Sequence, residues 1–219
     1  MISLTPFRHI LPPFLIAATL CGCTAEGPKG TVVQPGPPGA SSKVLSVDDV
    51  GQPDSAKYTK ADVRFVQGMI RHHAQALRMT GLVAGRSTSK DVPLFAERIT
   101  VSQEDEIALM LRWLRARLEE VPNSTGTGHD HGGLMPGMLT EEQFADLEKA
   151  EGAAFDRLFY EFMIYHHTGA IQMVEGLFAD GGGEEPEVYQ IATHVDADQR
   201  IEIDRMRRLL AAMGAAGNG

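Results

Sequence analysis

Apolar side chains recur at helical spacing in four long stretches of the chain. Between Thr59 and Ala84, Phe65, Val66, Met69, Ile70, Ala76, Leu77 and Val83 fall on one side of a 3.6-residue helix. Ser89 suits an N-cap, and Pro93 is tolerated in the first turn of a second amphipathic helix running through Ile99, Ile107, Met110, Leu114 and Leu118, with Pro122 just beyond it. A loop over 123–139 leads to Thr140-Glu-Glu-Gln143, a capping-box start for a short helix near 141–150. A third long helix is predicted over 153–179, broken by Gly181-Gly182-Gly183, and Pro186 opens a last one ending near Met213. No alternating β-branched run competes, so the pattern predicts an all-α protein.

The helices are repeated. Phe65 to Met79 aligns without gaps on Phe159 to Met173, with seven identities in fifteen positions at an offset of 94 residues. At an offset of 96, Gln103-x-x-Glu106-Ile107-x-x-Met110 matches Gln199-x-x-Glu202-Ile203-x-x-Met206. One helical hairpin cannot bury its own apolar stripe. Two of them are expected to close into one four-helix bundle about a pseudo-twofold axis, with repeat 1 near 59–120, the loop and short helix over 121–151, and repeat 2 near 152–213.

The repeat carries polar groups onto the apolar faces. On the first helix His73 falls inside the apolar face and His72 on its edge, with Met69 one turn before them and Met79 on the same edge as His72. Met163, His166, His167 and Met173 reproduce this set. Gln103, Glu106 and Met110 lie on or beside the buried face of the second helix, as Gln199, Glu202 and Met206 do on the last. Buried polar groups need partners, since leaving one unpaired costs about 1–3 kcal/mol. Two accounts meet that need. One is a structural hydrogen-bond network joining His73 and His167 to the Gln and Glu side chains. The other is a metal site, for which neutral imidazole with thioether suits copper, the thioether favouring Cu(I). A second His/Met group, His129, His131, Met135 and Met138, lies in the Gly-rich loop and could wrap one soft ion. His194, the counterpart of Arg98, reads as a helix-surface residue.

Charge and composition narrow the classes further. Twenty Lys and Arg against 29 Asp and Glu give a net charge of −9 with no long basic run, which argues against a nucleic-acid partner. Both cysteines, Cys21 and Cys23, lie near the N-terminus after a short apolar stretch interrupted by Pro12 and Pro13, too short for a membrane span. Leu20-Cys21-Gly22-Cys23 resembles a bacterial lipobox. The expectation is a lipoprotein signal over 1–22, acylation of Cys23, a flexible, disordered Gly/Pro-rich tether over 23–57, and a bundle over 58–213 anchored to the outer face of the cell membrane or held in the periplasm.

The paired Met-Ile-x-His-His-x-x-Ala-(Leu/Ile)-x-Met segments, each followed by Gln-x-x-Glu-Ile-x-x-Met, resemble the bacterial domain-of-unknown-function family 305, over about Lys60 to Met213. That resemblance implies a ferritin-like four-helix fold, frequent export and, in some members, extracytoplasmic copper binding through His and Met. Met69, His72, His73, Met79, Met163, His166, His167 and Met173 match its motif residue by residue. The functional expectation is an exported copper-binding lipoprotein for sequestration, tolerance or delivery, and not an enzyme. It could assemble as a homo-oligomer or meet a copper-handling partner. A structural or interaction lipoprotein without metal is the alternative. A ferritin-like di-metal oxidoreductase is a lesser one, because no Glu-x-x-His pair occurs in the chain.

Overall fold

In the computed structural model, residues 31–34, 43–46, 57–122, 129–130 and 133–216 are described. Two units are distinct, 1–52 and 53–219. In the first, β1 (Thr31–Gln34) pairs antiparallel with β2 (Lys43–Ser46), Thr31 opposite Ser46 and Gln34 opposite Lys43. The tether was expected to lack such structure. Its Gly/Pro composition hides two short β-favouring runs, Thr31-Val32-Val33 and Val44-Leu45, which pair with each other. The lipobox cysteines Cys21 and Cys23 lie outside the described residues.

The second unit is helical. Helix α1 (Lys60–Gly81) starts in a reciprocal capping box between Thr59 and Asp62, and α2 (Asp91–Ala116) follows. Ser89 lies one residue before the cap position, and its hydroxyl accepts from the Asp91 and Val92 amides at 3.1 and 3.4 Å. Helix α2 stops short of the expected Leu118. Leu118 has φ +57° and is 95% exposed, while the Glu119 amide turns back to the Leu114 carbonyl at 3.0 Å. A left-handed residue here closes the helix, so its side chain leaves the apolar stripe. In the following loop a two-residue ladder pairs β3 (His129–Asp130) with β4 (Gly133–Leu134). Helix α3 (Glu141–Lys149) begins in the expected Thr140/Gln143 capping box. Helices α4 (Gly152–Ala179) and α5 (Pro186–Ala216) complete the bundle.

Helix α1 packs on α2, α4 on α5, and α1 on α4, while the α2/α5 seam is thinner. The pseudo-twofold relation is written in hydrogen bonds. Asp62, at the start of α1, accepts from the Gly183 amide in the α4–α5 loop at 2.6 Å; its counterpart Asp156, at the start of α4, accepts from the Ser89 amide in the α1–α2 loop at 3.1 Å. Both carboxylates are buried. Each hairpin therefore fastens the connection of the other.

The core is divided along the bundle axis. One apolar cluster contains Met79, Phe95, Ile99, Phe155, Phe159, Met163 and Met206, and the other contains Phe65, Val66, Met69, Met110, Trp113, Val174 and Val195. Between them, on all four helices, lies a polar layer of His72, His73, Gln103, Glu106, His166, His167, Gln199 and Glu202.

Candidate metal centre

All four histidines of the layer are 0% exposed. For His73 and His167 the periodicity places them there directly. His72 was expected on the edge of the apolar face, and it is buried because the segment entering α3 lies over that edge. Met135-Pro136-Gly137-Met138 forms a turn closed by the Met138 amide on the Met135 carbonyl at 3.1 Å, with Gly137 at φ +74°. Proline followed by a residue of positive φ is the signature of a type II turn. This strap is pinned along α1 at successive turns. His72 Nε2 donates to the Pro136 carbonyl at 3.0 Å. The Gln75 amide holds the Leu139 N–H and C=O at 2.8 and 3.0 Å. Arg78 pairs with Glu141 at 3.0 Å and covers the Phe144 ring at 3.8 Å. On the α4 side Gly169 makes room for it, since a Cβ there would run into the Pro136 carbonyl and Gly137 Cα.

Beneath the strap the rings of His72 and His166 lie 3.8 Å apart, centroid to centroid, tilted by 35°. His73 and His167 face the opposite side of the bundle. Their Nε2 atoms bond Glu106 Oε2 at 2.6 Å and Glu202 Oε2 at 2.7 Å, a matched pair on the α2/α5 side. These carboxylates have side chains 13% and 10% exposed, so they form the outer edge of the layer.

The hydrogen bonds set the tautomers. A carbonyl or carboxylate oxygen accepts, so in the neutral rings Nε2 of His72, His73 and His167 carries the proton and Nδ1 carries the lone pair. Each of those three Nδ1 atoms is buried without a partner among the described residues. Among the described residues His166 has no partner at either nitrogen. Burial, then the neighbouring His73, pushes His72 down to about 3; burial, then His72, holds His166 well below its ordinary value. Both imidazoles are thereby kept neutral, the state a metal requires.

The methionines divide into groups. Met69 and Met163, one turn before the histidines and both 0% exposed, border the layer from its two sides. Met110 and Met206, also 0% exposed, stand one turn beyond Glu106 and Glu202. Met79 is fully buried in the first apolar cluster, seven residues or about 10 Å of helix rise beyond His72, and its side chain belongs to the core there. Its repeat partner Met173 instead is only partly buried, beside the strap. From the loop, Met138 is 3% exposed and packs inward, whereas Met135 stays part-exposed. His129 lies in β3, but its side chain and all of His131 fall outside the described residues. His194 is exposed, as expected.

Among the described residues, no three His, Cys, Asp or Glu side chains come together in a metal-holding arrangement. Glu106 and Glu202 each hold a histidine through Oε2, and Glu106 Oε1 is buried without a partner among the described residues. Sequence reasoning missed Gln75 and Pro136, which hold the strap and His72, and the Asp62/Asp156 ties. The ties had a signal, because the two aspartates are 94 residues apart, the offset of the repeat.

A family profile described as Domain of unknown function (DUF305) matches residues 62–210. Among solved structures, a DUF305 fragment from Deinococcus radiodurans is 30% identical with a TM-score of 0.62, covering 71% of this chain and 98% of that one. A DUF305 protein from Streptomyces coelicolor described as secreted is 26% identical with a TM-score of 0.61, covering 70% and 94%. CopM in a Cu(II)-bound form is 25% identical with a TM-score of 0.58, covering 69% and 96%. No curated protein matches the chain.

Proposed function

The chain belongs to the DUF305 family, and from its buried histidine layer we propose that it is an extracytoplasmic copper-binding protein, holding copper through His and Met for sequestration, tolerance or delivery. The observation that carries this reading is His166. A fully buried imidazole with neither nitrogen bonded, 3.8 Å from a second ring whose Nδ1 is also unpartnered, leaves donors unsatisfied at a cost that a bound ion would remove. Copper is cargo here, and no reaction is catalysed.

The work of the chain's own residues follows from the geometry. Pro136 fixes the orientation of His72 from the strap side. Glu106 and Glu202 orient His73 and His167 from the other, accepting the hydrogen bond from Nε2–H and raising the basicity of Nδ1, as carboxylates do for metal-bound histidine. Met69 and Met163 supply soft donors at the two borders, which favours Cu(I) over Zn(II). The likeness to CopM, whose structures include Cu(II)-bound and Cu(I)-bound forms, supports the metal. A relative described as secreted supports the compartment, and among the described residues no helix is long and apolar enough to cross a membrane. Attachment to the membrane through acylated Cys23 belongs to the same proposal, and mass spectrometry of the native N-terminus tests it.

One observation favours a second reading. The matched His73–Glu106 and His167–Glu202 bonds form without metal, as in a network that fixes packing. Competitive Cu(I) titration of tag-free protein against a His72→Leu/His166→Leu variant separates the two. Loss of a tight Cu(I) equivalent in the variant is expected; equal binding by both proteins returns the layer to a structural role.

A further inference from the structure

The duplication builds two clefts on the thinner α2/α5 seam, one toward each end of the bundle. The first, of about 290 Å³, lies between the opening turns of α2 and the later turns of α5. The second, of about 300 Å³, lies between the end of α2 and the opening turns of α5. Their linings correspond at the 96-residue offset, but their charges have diverged. Arg98 and Arg205 of the first cleft answer to His194 and Leu109 of the second, while Arg208 answers to Arg112 and Asp91 to Glu187.

The second cleft is balanced from within. Its Glu187 pairs with Arg117 at 2.8 Å, and Trp113 carries the same guanidinium over its ring at 4.4 Å. In the first cleft Arg98, Arg205 and Arg208 are exposed, and none makes an ion pair or hydrogen bond among the described residues. The carboxylates beside them do not neutralise them. Glu202 is turned to His167 at 2.7 Å, which leaves Asp91, at the start of α2, against three guanidinium groups. This concentration of positive charge stands out in a chain of net charge −9. The floor between the arginines is apolar, made by the buried Phe95 and the half-buried Leu209. Leu94 and Ile201 flank it, 64% and 61% exposed.

We infer that the first cleft binds a small anionic amphiphile, an aliphatic chain of medium length ending in a carboxylate. The chain lies on Phe95 and Leu209 between Leu94 and Ile201, and the carboxylate meets Arg98, Arg205 and Arg208. Guanidinium forks match a carboxylate with two parallel hydrogen bonds, and the neighbouring apolar surface strengthens them by excluding water. The volume stands at the lower end of ligand pockets, roughly 300–1,000 Å³, which suits one short chain. A cleft that recedes between two helices takes an inserted chain, whereas a bilayer surface would meet only its rims. The site needs no metal, so it stands whether or not the histidine layer holds copper.

Octanoate provides the probe, with octanol and octyltrimethylammonium as the uncharged and cationic forms of the same chain and acetate as the headgroup alone. Full-length metal-free protein carrying 13C-methyl leucine and isoleucine is titrated with each and followed by NMR. The Leu94, Ile201 and Leu209 methyls should shift together and saturably with octanoate, while Leu109 and Ile191 of the second cleft stay in place. Octanol, octyltrimethylammonium and acetate should bind at least tenfold more weakly. An Arg205→Gln/Arg208→Gln variant should weaken octanoate at least tenfold, and Arg112→Gln should leave it unchanged. Octanoate that produces no saturable shift, binds no better than octanol, moves both clefts alike, or binds the double Gln variant with wild-type affinity would overturn the inference. So would methyls that ignore octanoate but broaden, in an Arg205- and Arg208-dependent way, on phosphatidylglycerol vesicles, since the face would then dock on a membrane. The wild-type comparison of octanoate with octanol and octyltrimethylammonium decides the matter even if a variant folds poorly.

Discussion

Acid should loosen the metal-free bundle well before its carboxylates are neutralised, and the size of the effect follows from His72. In the unfolded chain this imidazole takes up a proton near pH 6.5. In the folded protein burial and the adjacent His73 push it down to about 3. Between those values the unfolded state binds the extra proton, so stability falls as pH falls. The contribution is intact above pH 6.5 and declines continuously below it. From pH 6.5 to 5 the loss for His72 alone is about 2 kcal/mol, at 1.36 kcal/mol per pH unit. His166, also held well below its ordinary value by burial, adds in the same direction. Urea unfolding of metal-free protein, followed by circular dichroism at pH 7, 6 and 5, measures the slope. His72→Leu/His166→Leu keeps a side chain of similar bulk without a proton to gain, so its stability should fall by at least about 2 kcal/mol less over the same interval. Parallel slopes in the two proteins would show that neither ring is buried neutral, and the description of the layer would be wrong.

Other perturbations probe the frame around the layer. Gly169→Ala puts a methyl against backbone atoms of Pro136 and Gly137 that have no rotamer to escape into. The strap should lift, with a loss of about 1–3 kcal/mol in urea unfolding and faster exchange of the Leu139 amide. His73→Ala and His167→Ala should each cost about 1–3 kcal/mol and, being equivalent across the pseudo-twofold axis, differ little in thermal melts of metal-free protein. Asp62→Ala should cost more than Asp156→Ala in the same assay, because Asp62 accepts from Thr59 N, Thr59 Oγ and Gly183 N, whereas Asp156 accepts from Ser89 N.

What was legible in the sequence was periodic. Four helical stripes and a 94-residue offset were enough to place the long helices, pair the hairpins and aim His73, His167, Gln103 and Gln199 inward. The paired His-His and Gln-x-x-Glu motifs carried the resemblance to family 305, with which the DUF305 match agrees. The strap was not legible, because contacts between a loop and a helix face have no period. It buries His72, which the helical pattern put on an edge, and separates Met173 from Met79, which the repeat made equivalent. Its traces are the departures from repetition: Gly68 against Phe162, and Gln75 against Gly169. The early end of α2 at Leu118 and the β1–β2 hairpin escaped for a related reason, since both depend on local backbone geometry that an apolar count does not see.

The crossed aspartate ties have a consequence for how the chain folds. They span 121 and 67 residues in sequence, and each closes a loop with a residue from the other half. A hairpin excised at the midpoint would keep its helices but lose the partner that terminates its connection, and would expose a buried carboxylate or a bare loop amide. The duplication has thus not produced two autonomous folding units. The α1–α2 and α4–α5 halves should melt in one cooperative transition, and co-expressed half-chains should gain structure only by finding each other.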